Sequence, residues 1–256
     1  MKGWLSLFLF IIAFSSPIHA ETVAGVASGS GSVNGVGAFT YRIPIKVAPG
    51  INNLAPELAL NYNSQSPSSA SSLGYGWNLS GLSEIHRCGK TIALDAHRDG
   101  VKYNEDSDRL CRDGIPLVGT SEDYWKADYY HSSQEDWAKI EPADQCYYGP
   151  CYFVVYTKDN RTLEYGRDEN ARSLSLDQRG VGRWLLNKVT DGNGNEIHFE
   201  YKVDGAVSYI SRIAYGHEDQ KAGAQQSVTF EYADKSEQNQ VSGFYSSGNA
   251  ENRFYV

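Results

Sequence analysis

The stretch Leu73–Arg87 reads LGYGWNLSGLSEIHR, and the interpretation of the whole chain starts from it. Large apolar residues are bracketed by three glycines, Gly74, Gly76 and Gly81. Glycine is used where the backbone takes a positive φ or approaches another strand closely. Tyr75 and Trp77 are large enough to anchor a core. The pattern predicts one bent, glycine-kinked β-strand, whose structural core residues are Gly74, Tyr75, Gly76 and Trp77.

The rest of the chain favours strands as well. Between Phe39 and Val47 apolar residues alternate with polar ones or proline, the period of a half-buried strand. The 18 tyrosines and 25 glycines of the chain favour strands and turns over helices. We therefore expect an all-β fold of antiparallel sheets and hairpins, with few or no helices after the first 20 residues.

These segments carry a family resemblance. The motif GxGW followed by I-x-R within Leu73–Arg87 lies downstream of GVGAFTYRIPIKVAPGINNLAPELALNYNS, which runs from Gly35 to Ser64. Together they resemble the SpvB-like N-terminal domain of the Salmonella virulence plasmid B protein family, to which the B components of insecticidal toxin complexes are related. The resemblance is densest over residues 38–115. It implies a β-rich domain over residues 38–256, built as a sandwich or as the start of an Rhs-type shell.

The part of the chain after residue 152 is rich in hairpin signals. The strings LEY, FEY and FEY end at Tyr165, Tyr201 and Tyr232. The segment DGNGNEIHFEY, which ends at Tyr201, resembles an Rhs/YD repeat, in which Asp and Gly form a tight turn between paired strands. Residues 152–256 are therefore expected to form a series of strand–turn–strand units.

The first 20 residues have the pattern of a secretory signal peptide. Lys2 precedes an apolar run from Leu5 to Phe14, and small residues follow as far as Ala20. The run is too short to span a membrane. Residues 1–20 are thus expected to direct export through the Sec pathway, to a secreted or extracellular location. Residues 21–37, rich in Gly and Ser, are expected to form a flexible leader.

The charge balance excludes one class of partner. The formal net charge is −8, and the sequence contains no basic stripe. An acidic protein repels phosphate backbones, so nucleic-acid binding is not expected. No later segment has the length and apolar character of a membrane-spanning helix.

The four cysteines, Cys88, Cys111, Cys146 and Cys151, are expected to form disulfides. An even number of cysteines in an exported protein favours disulfides. We favour the pairs Cys88–Cys111 and Cys146–Cys151 among the three pairings, because each flanks a plausible hairpin. The alternative is a zinc site, but the usual C-x-x-C knuckles are absent from the sequence.

The sequence offers little raw material for catalysis. It contains no GxSxG, HExxH or local Cys–His signature. Glu196, His198 and Glu200 share one strand face and could hold a metal, although a solvated face is the commoner arrangement. We therefore expect no catalytic residue, no metal and no cofactor.

An aromatic-rich segment follows residue 120. Tyr124, Trp125 and Trp137 could form a surface platform for a glycan or a partner. The alternative is that they cover a core or pack on an adjoining domain.

These observations favour a non-catalytic scaffold domain of a virulence or toxin-complex protein. A secreted module that binds a glycan or a host surface is the alternative, and an enzyme ranks third. The resemblance implies that its partners are other toxin-complex or Rhs-type modules, in cis or in trans. In relatives, further modules follow this domain, so the chain is expected to be truncated at its C-terminus.

The position of the mature N-terminus tests the export prediction. Because the cleavage pattern ends at Ala20, the mature protein is expected to begin at Glu21. Mass spectrometry of periplasmic or secreted material measures this N-terminus. A full-length protein confined to the cytoplasm contradicts the prediction.

Overall fold

The computed structural model describes residues 28–66, 73–104, 107–146, 149–174, 180–205, 207–216, 226–234, 241–245, 248–252 and 254–255. The predicted signal peptide and the leader up to residue 27 lie outside the described residues. The fold is all-β and antiparallel, as the sequence predicts, with an eight-strand barrel and a separate four-strand sheet.

The four-strand sheet consists of strands β1–β4 in the order of the chain. Their bounds are Ser30–Val33 (β1), Phe39–Pro44 (β2), Ala59–Asn63 (β3) and Trp77–Ser80 (β4). Strand β1 falls within the segment predicted to be a flexible leader, where it pairs with β2.

The second sheet contains twelve strands, β5–β16. Their bounds are Glu84–Cys88 (β5), Arg109–Arg112 (β6), Ile115–Gly119 (β7), Tyr130–Ser132 (β8), Lys139–Gln145 (β9), Pro150–Tyr156 (β10), Thr162–Tyr165 (β11), Arg172–Leu174 (β12), Val181–Thr190 (β13), Glu196–Asp204 (β14), Val207–Tyr215 (β15) and Gln226–Thr229 (β16). Two further pairs are β17 (Ala233–Asp234) with β20 (Phe254–Tyr255), and β18 (Val241–Tyr245) with β19 (Gly248–Asn252).

Within the described residues, helical structure is limited to single turns. The α-helix α1 spans Ile92–Asp95, and 3-10 turns lie at Ile51–Asn53, Tyr124–Lys126 and Glu169–Ala171. No helix in the described ranges is long and apolar enough to cross a membrane.

Strands β5–β11 and β13 close into the barrel. Each of β5–β11 pairs with its neighbour in sequence, and β13 pairs with both β11 and β5 to complete the ring. Closure removes the unpaired strand edges of these eight strands. Strands β14, β15 and β16 extend the sheet outward from β13.

A line of aromatic side chains fills the core of the barrel. Tyr130, Phe153 and Trp184 are each fully buried, and their rings meet edge to face. The indole Nε1 of Trp184 donates a hydrogen bond of 3.0 Å to the carbonyl oxygen of Pro150. A buried ring whose polar atom is satisfied in this way contributes its apolar surface without an unpaired donor.

The tyrosines that end the LEY and FEY strings connect elements through their hydroxyls. The Tyr201 hydroxyl donates to the carbonyl of Leu186 at 2.8 Å, and that of Tyr232 donates to the carbonyl of Ile210 at 2.6 Å. The Tyr165 hydroxyl lies 2.8 Å from Oγ of Ser83.

The stretch Leu73–Arg87 does not form the single bent strand that we predicted. It forms β4 in the four-strand sheet and β5 in the barrel, so the chain passes from one sheet to the other within it. At the crossing Gly81 has a φ of 96°, and a Cβ there would lie 2.2 Å from the carbonyl oxygen of Glu57. A side chain at position 81 is therefore excluded by both backbone conformation and space.

Two glycine-to-alanine substitutions separate the backbone strain of a positive φ from the steric clash of a new Cβ. Gly74 has a φ of 99°, close to that of Gly81, but a Cβ there would meet nothing within 4 Å. Gly74→Ala is expected to cost only the backbone strain, about 1 to 2 kcal/mol. Gly81→Ala must also displace the backbone at Glu57, so it is expected to cost clearly more. Urea unfolding measures both, and equal losses contradict the steric argument.

Candidate interaction surface

The four-strand sheet carries its aromatic residues on one side. Directly paired residues of antiparallel strands lie on the same face of a sheet. Val33 pairs with Phe39, Tyr41 pairs with Tyr62, and Tyr62 pairs with Trp77. Phe39 and Tyr41 share that side because they are two residues apart in β2. We call Val33, Phe39, Tyr41, Tyr62 and Trp77 the aromatic face.

The rings of the aromatic face form a continuous series. Phe39 and Tyr41 stack with their centroids 6.4 Å apart and an interplanar angle of 19°. Phe39 lies 6.4 Å from Tyr62, and Tyr62 lies 5.4 Å from Trp77. Val33 is 66% exposed and Phe39 is 46% exposed, while the other three are half-buried. The face is thus open to solvent at its Val33–Phe39 end.

Glycines make room for these rings. A Cβ at Gly29 would lie 2.3 Å from the hydroxyl oxygen of Tyr41, and one at Gly31 would lie 3.2 Å from both Phe39 and Tyr41. Gly76 is buried, has a φ of 77°, and leaves no room for a Cβ beside Tyr62. The glycines of the leader and of the Gly-Trp motif therefore let aromatic rings lie close to the sheet.

Two of the predicted core residues lie elsewhere. Trp77 is half-buried on the aromatic face, and Leu79, two residues further on that face, packs against the barrel core. Tyr75 is 62% exposed, so its assignment to the core was wrong. Tyr75 precedes β4 in a turn between Gly74 and Gly76, and both of these glycines have positive φ.

The predicted platform of Tyr124, Trp125 and Trp137 is not assembled as one surface. The Tyr124 hydroxyl accepts a hydrogen bond from the amide of Leu110 at 2.9 Å and donates one to the carbonyl of Leu117 at 3.1 Å. Burial raises the pKa of this phenol well above its usual range. Trp125 is half-buried and packs against the core, whereas Trp137 is 72% exposed in the turn between β8 and β9.

A buried ion pair was missed by the sequence reasoning. The guanidinium of Arg87 donates from Nη1 to Asp108 at 3.1 Å and from Nε to the carbonyl of Val181 at 2.8 Å. Both charged side chains are almost completely buried. The Arg87 guanidinium also lies 4.5 Å from the centre of the Trp125 ring, whose Nε1 donates to the Asp108 carbonyl at 3.2 Å. The sequence contains one indication of it: Arg87 lies two residues after Ile85 and therefore on the same, buried face of β5.

This ion pair organises the long connection between β5 and β6. The second carboxylate oxygen of Asp108 accepts hydrogen bonds from the amide of Lys102 at 2.7 Å and from Oγ of Ser107 at 3.2 Å. Near α1, Asp95 accepts a hydrogen bond of 2.7 Å from Nε of Arg109. A buried charge that is paired and fully hydrogen-bonded fixes the elements around it.

The structure contains both disulfides in the pairing that the sequence favoured. Cys88 at the end of β5 bonds Cys111 in β6, with a Cα–Cα distance of 5.9 Å. Cys146 and Cys151 join β9 and β10 across their turn, with a Cα–Cα distance of 4.7 Å. The first disulfide closes the same β5–β6 connection that the buried ion pair organises.

The polar strand faces are occupied by ion pairs. Burial alone would raise the pKa of Glu84, but the neighbouring His86 and Arg183 outweigh burial and lower it to about 2. On β14, His198 lies 2.6 Å from Glu196, and Glu200 accepts a hydrogen bond of 3.0 Å from Arg212. Within the described residues, no three His, Cys, Asp or Glu side chains are grouped as a metal site requires.

The antiparallel β architecture is shared with parts of solved toxin-complex structures. In a crystal structure of TcdB2-TccC3, a part with 18% sequence identity superimposes with a TM-score of 0.68. That match covers 90% of this chain but only 14% of the other, so the chain spans about one seventh of that protein's length. The Tc holotoxin pore of Photorhabdus luminescens matches similarly, with 17% identity, a TM-score of 0.66, and coverage of 90% and 13% of the two chains.

The sequence profile of the family described as Salmonella virulence plasmid 65kDa B protein, SpvB, matches residues 33–255. The chain belongs to this SpvB family. The N-terminal domain of the effector protein SpvB from Salmonella typhimurium strain LT2 superimposes with a TM-score of 0.61 and 19% identity, covering 83% of this chain and 84% of that domain. No curated protein sequence matches the chain.

Substitution of Arg87 tests the buried ion pair. Arg87→Met leaves the Asp108 carboxylate buried without its cation, so the free energy of unfolding is expected to fall by about 3 to 5 kcal/mol. Arg161→Met removes the cation of the exposed pair with Asp159 and is expected to cost less than about 1 kcal/mol. Chemical denaturation measures both variants. Similar losses for the two would show that the buried pair has no special role.

Proposed function

We propose that this chain is an exported, non-catalytic structural domain that works as one module of a larger virulence or toxin-complex protein. The proposal rests on how much of each similar structure the chain covers. The fold matches nearly the whole of one isolated N-terminal domain, and it also matches a small part of much longer toxin-complex chains. A fold found in both settings is suited to a unit to which other modules are joined.

The construction of the domain supports a structural role. Ring closure removes free edges from the barrel strands, and two disulfides and a buried ion pair constrain its loops. The phenols of Tyr124, Tyr165, Tyr201 and Tyr232 are hydrogen-bonded within the protein. A domain of this kind provides a rigid support for neighbouring modules, in cis or in trans.

The assignment as an exported protein rests on its sequence and on its cysteines. The disulfides join all four cysteines, and such bonds persist in oxidising compartments. The signal-peptide pattern of residues 1–20 agrees with that environment.

An activity assay tests the non-catalytic role. The mature chain, residues 21–256, is incubated with NAD and actin, and separately with panels of glycans and esters. We expect no modified actin and no turnover, because we identify no catalytic constellation in the sequence or in the described residues. An active ADP-ribosyltransferase serves as the positive control for the first assay. ADP-ribosylated actin, or hydrolysis of any substrate in the panels, overturns the proposal.

A further inference from the structure

We propose that the aromatic face of the four-strand sheet binds a neutral, linear glycan. This inference goes beyond the structural role, because it gives the domain a ligand of its own. The site consists of the half-buried rings of Tyr41, Tyr62 and Trp77 and the exposed ring of Phe39.

The chemistry of the face suits a sugar. Aromatic rings present flat apolar surfaces on which the C–H faces of sugar rings stack, and tyrosine adds a polar group at the edge. The centroids of successive rings are 5.4 to 6.4 Å apart; the rings of Phe39 and Tyr41 are nearly parallel at 19°, and Tyr62 is tilted by 54° from Phe39 and by 49° from Trp77. The hydroxyls of Tyr41 and Tyr62 make no hydrogen bond to any residue that the structure describes, so they can serve the hydroxyls of a sugar.

The absence of charge on the face indicates a neutral ligand. The aromatic face contains no Asp, Glu, Lys, Arg or His side chain. The nearest cation within these strands, Arg42, alternates with Tyr41 and so lies on the opposite side of the sheet. There it donates hydrogen bonds to Asn61 at 3.2 Å and to Ser80 at 3.3 Å. An anionic glycan would find no counter-charge on the aromatic side.

The size of the face favours a glycan over a protein partner. Four strands of four to six residues present an area of about 250 Å² on one side. A stable protein–protein interface needs about 800 Å² from each partner. The aromatic face alone is therefore too small for a stable protein interface, but it accommodates a short run of sugar rings.

The rings are already positioned for binding. The Tyr62 ring neighbours both Phe39 and Trp77, and the glycines at positions 29, 31 and 76 let the rings lie against the sheet. Because the side chains are held before a ligand arrives, binding costs little side-chain entropy.

The proposal is tested with neutral hexasaccharides of β-1,4-linked glucose, β-1,4-linked N-acetylglucosamine and α-1,4-linked glucose. Titration calorimetry and tryptophan fluorescence measure binding to the mature chain. At least one hexasaccharide is expected to bind saturably, and Phe39→Ala and Trp77→Ala are each expected to weaken it about tenfold. Trp137→Ala removes an exposed ring outside the aromatic face and is the matched control, with no expected change in affinity.

Folding is checked separately from binding. Thermal melting is recorded for every variant, and Phe39→Ala is expected to melt with the parent because its ring is partly exposed. Tyr62→Phe keeps the ring and removes only the hydroxyl, so it is expected to bind more weakly with unchanged melting.

Three results would overturn the proposal. One is the absence of saturable binding by any of the neutral hexasaccharides. Another is binding that is lost in Trp137→Ala but retained in Phe39→Ala and Trp77→Ala. The third is that Phe39→Ala and Trp77→Ala lose association with another protein module while their hexasaccharide binding is unchanged. Hexasaccharide binding without hydrolysis leaves the structural role intact. Hydrolysis of a hexasaccharide contradicts the non-catalytic role but not the binding site. The two proposals therefore fail separately.

Discussion

The fold depends on Trp184 and on the strand that carries it. Strand β13 pairs with β5, β11, β12 and β14, so it both closes the barrel and holds the outer strands. Trp184 lies against Phe153 and hydrogen-bonds the carbonyl of Pro150, which ties β13 to β10. A Cβ at Gly166 would lie 2.5 Å from the Trp184 ring, so the closure requires a glycine after β11. A smaller side chain at position 184 would leave a cavity where the strands meet.

The closed barrel and the open four-strand sheet have different surfaces. Within the barrel, large side chains such as Phe153 and Trp184 are fully buried, and the buried charges of Arg87 and Asp108 are paired. The four-strand sheet is open, and only the Leu58–Leu79 end of its apolar side packs against the barrel core. Phe39 and Val33 lie beyond that contact and stay exposed. Gly81 links the two parts, because the chain must turn sharply there to pass from one sheet to the other.

The ion pairs of the barrel differ in burial. Arg87 and Asp108 are buried and are surrounded by Trp125 and backbone carbonyls, so each would be costly to leave alone. Glu84 on β5 and Arg183 on β13 lie nearer to solvent. The buried pair of Arg87 and Asp108 specifies the arrangement of the β5–β6 connection. The disulfide Cys88–Cys111 constrains the same connection covalently.

The sequence alone determined what depends on neighbours along the chain. The two-residue alternation after Phe39, the turn glycines and the hairpins flanked by each cysteine pair led to an antiparallel β fold and to the disulfide pairing. Only the tertiary structure decided which aromatic residues are buried, because Tyr75, Trp77 and Trp125 look alike in sequence. It also decided that Leu73–Arg87 serves two sheets, and that Arg87 meets Asp108 inside the core. The place of β5 in the barrel depends on its pairing with β13, about one hundred positions apart, and no local pattern encodes a pairing at that distance.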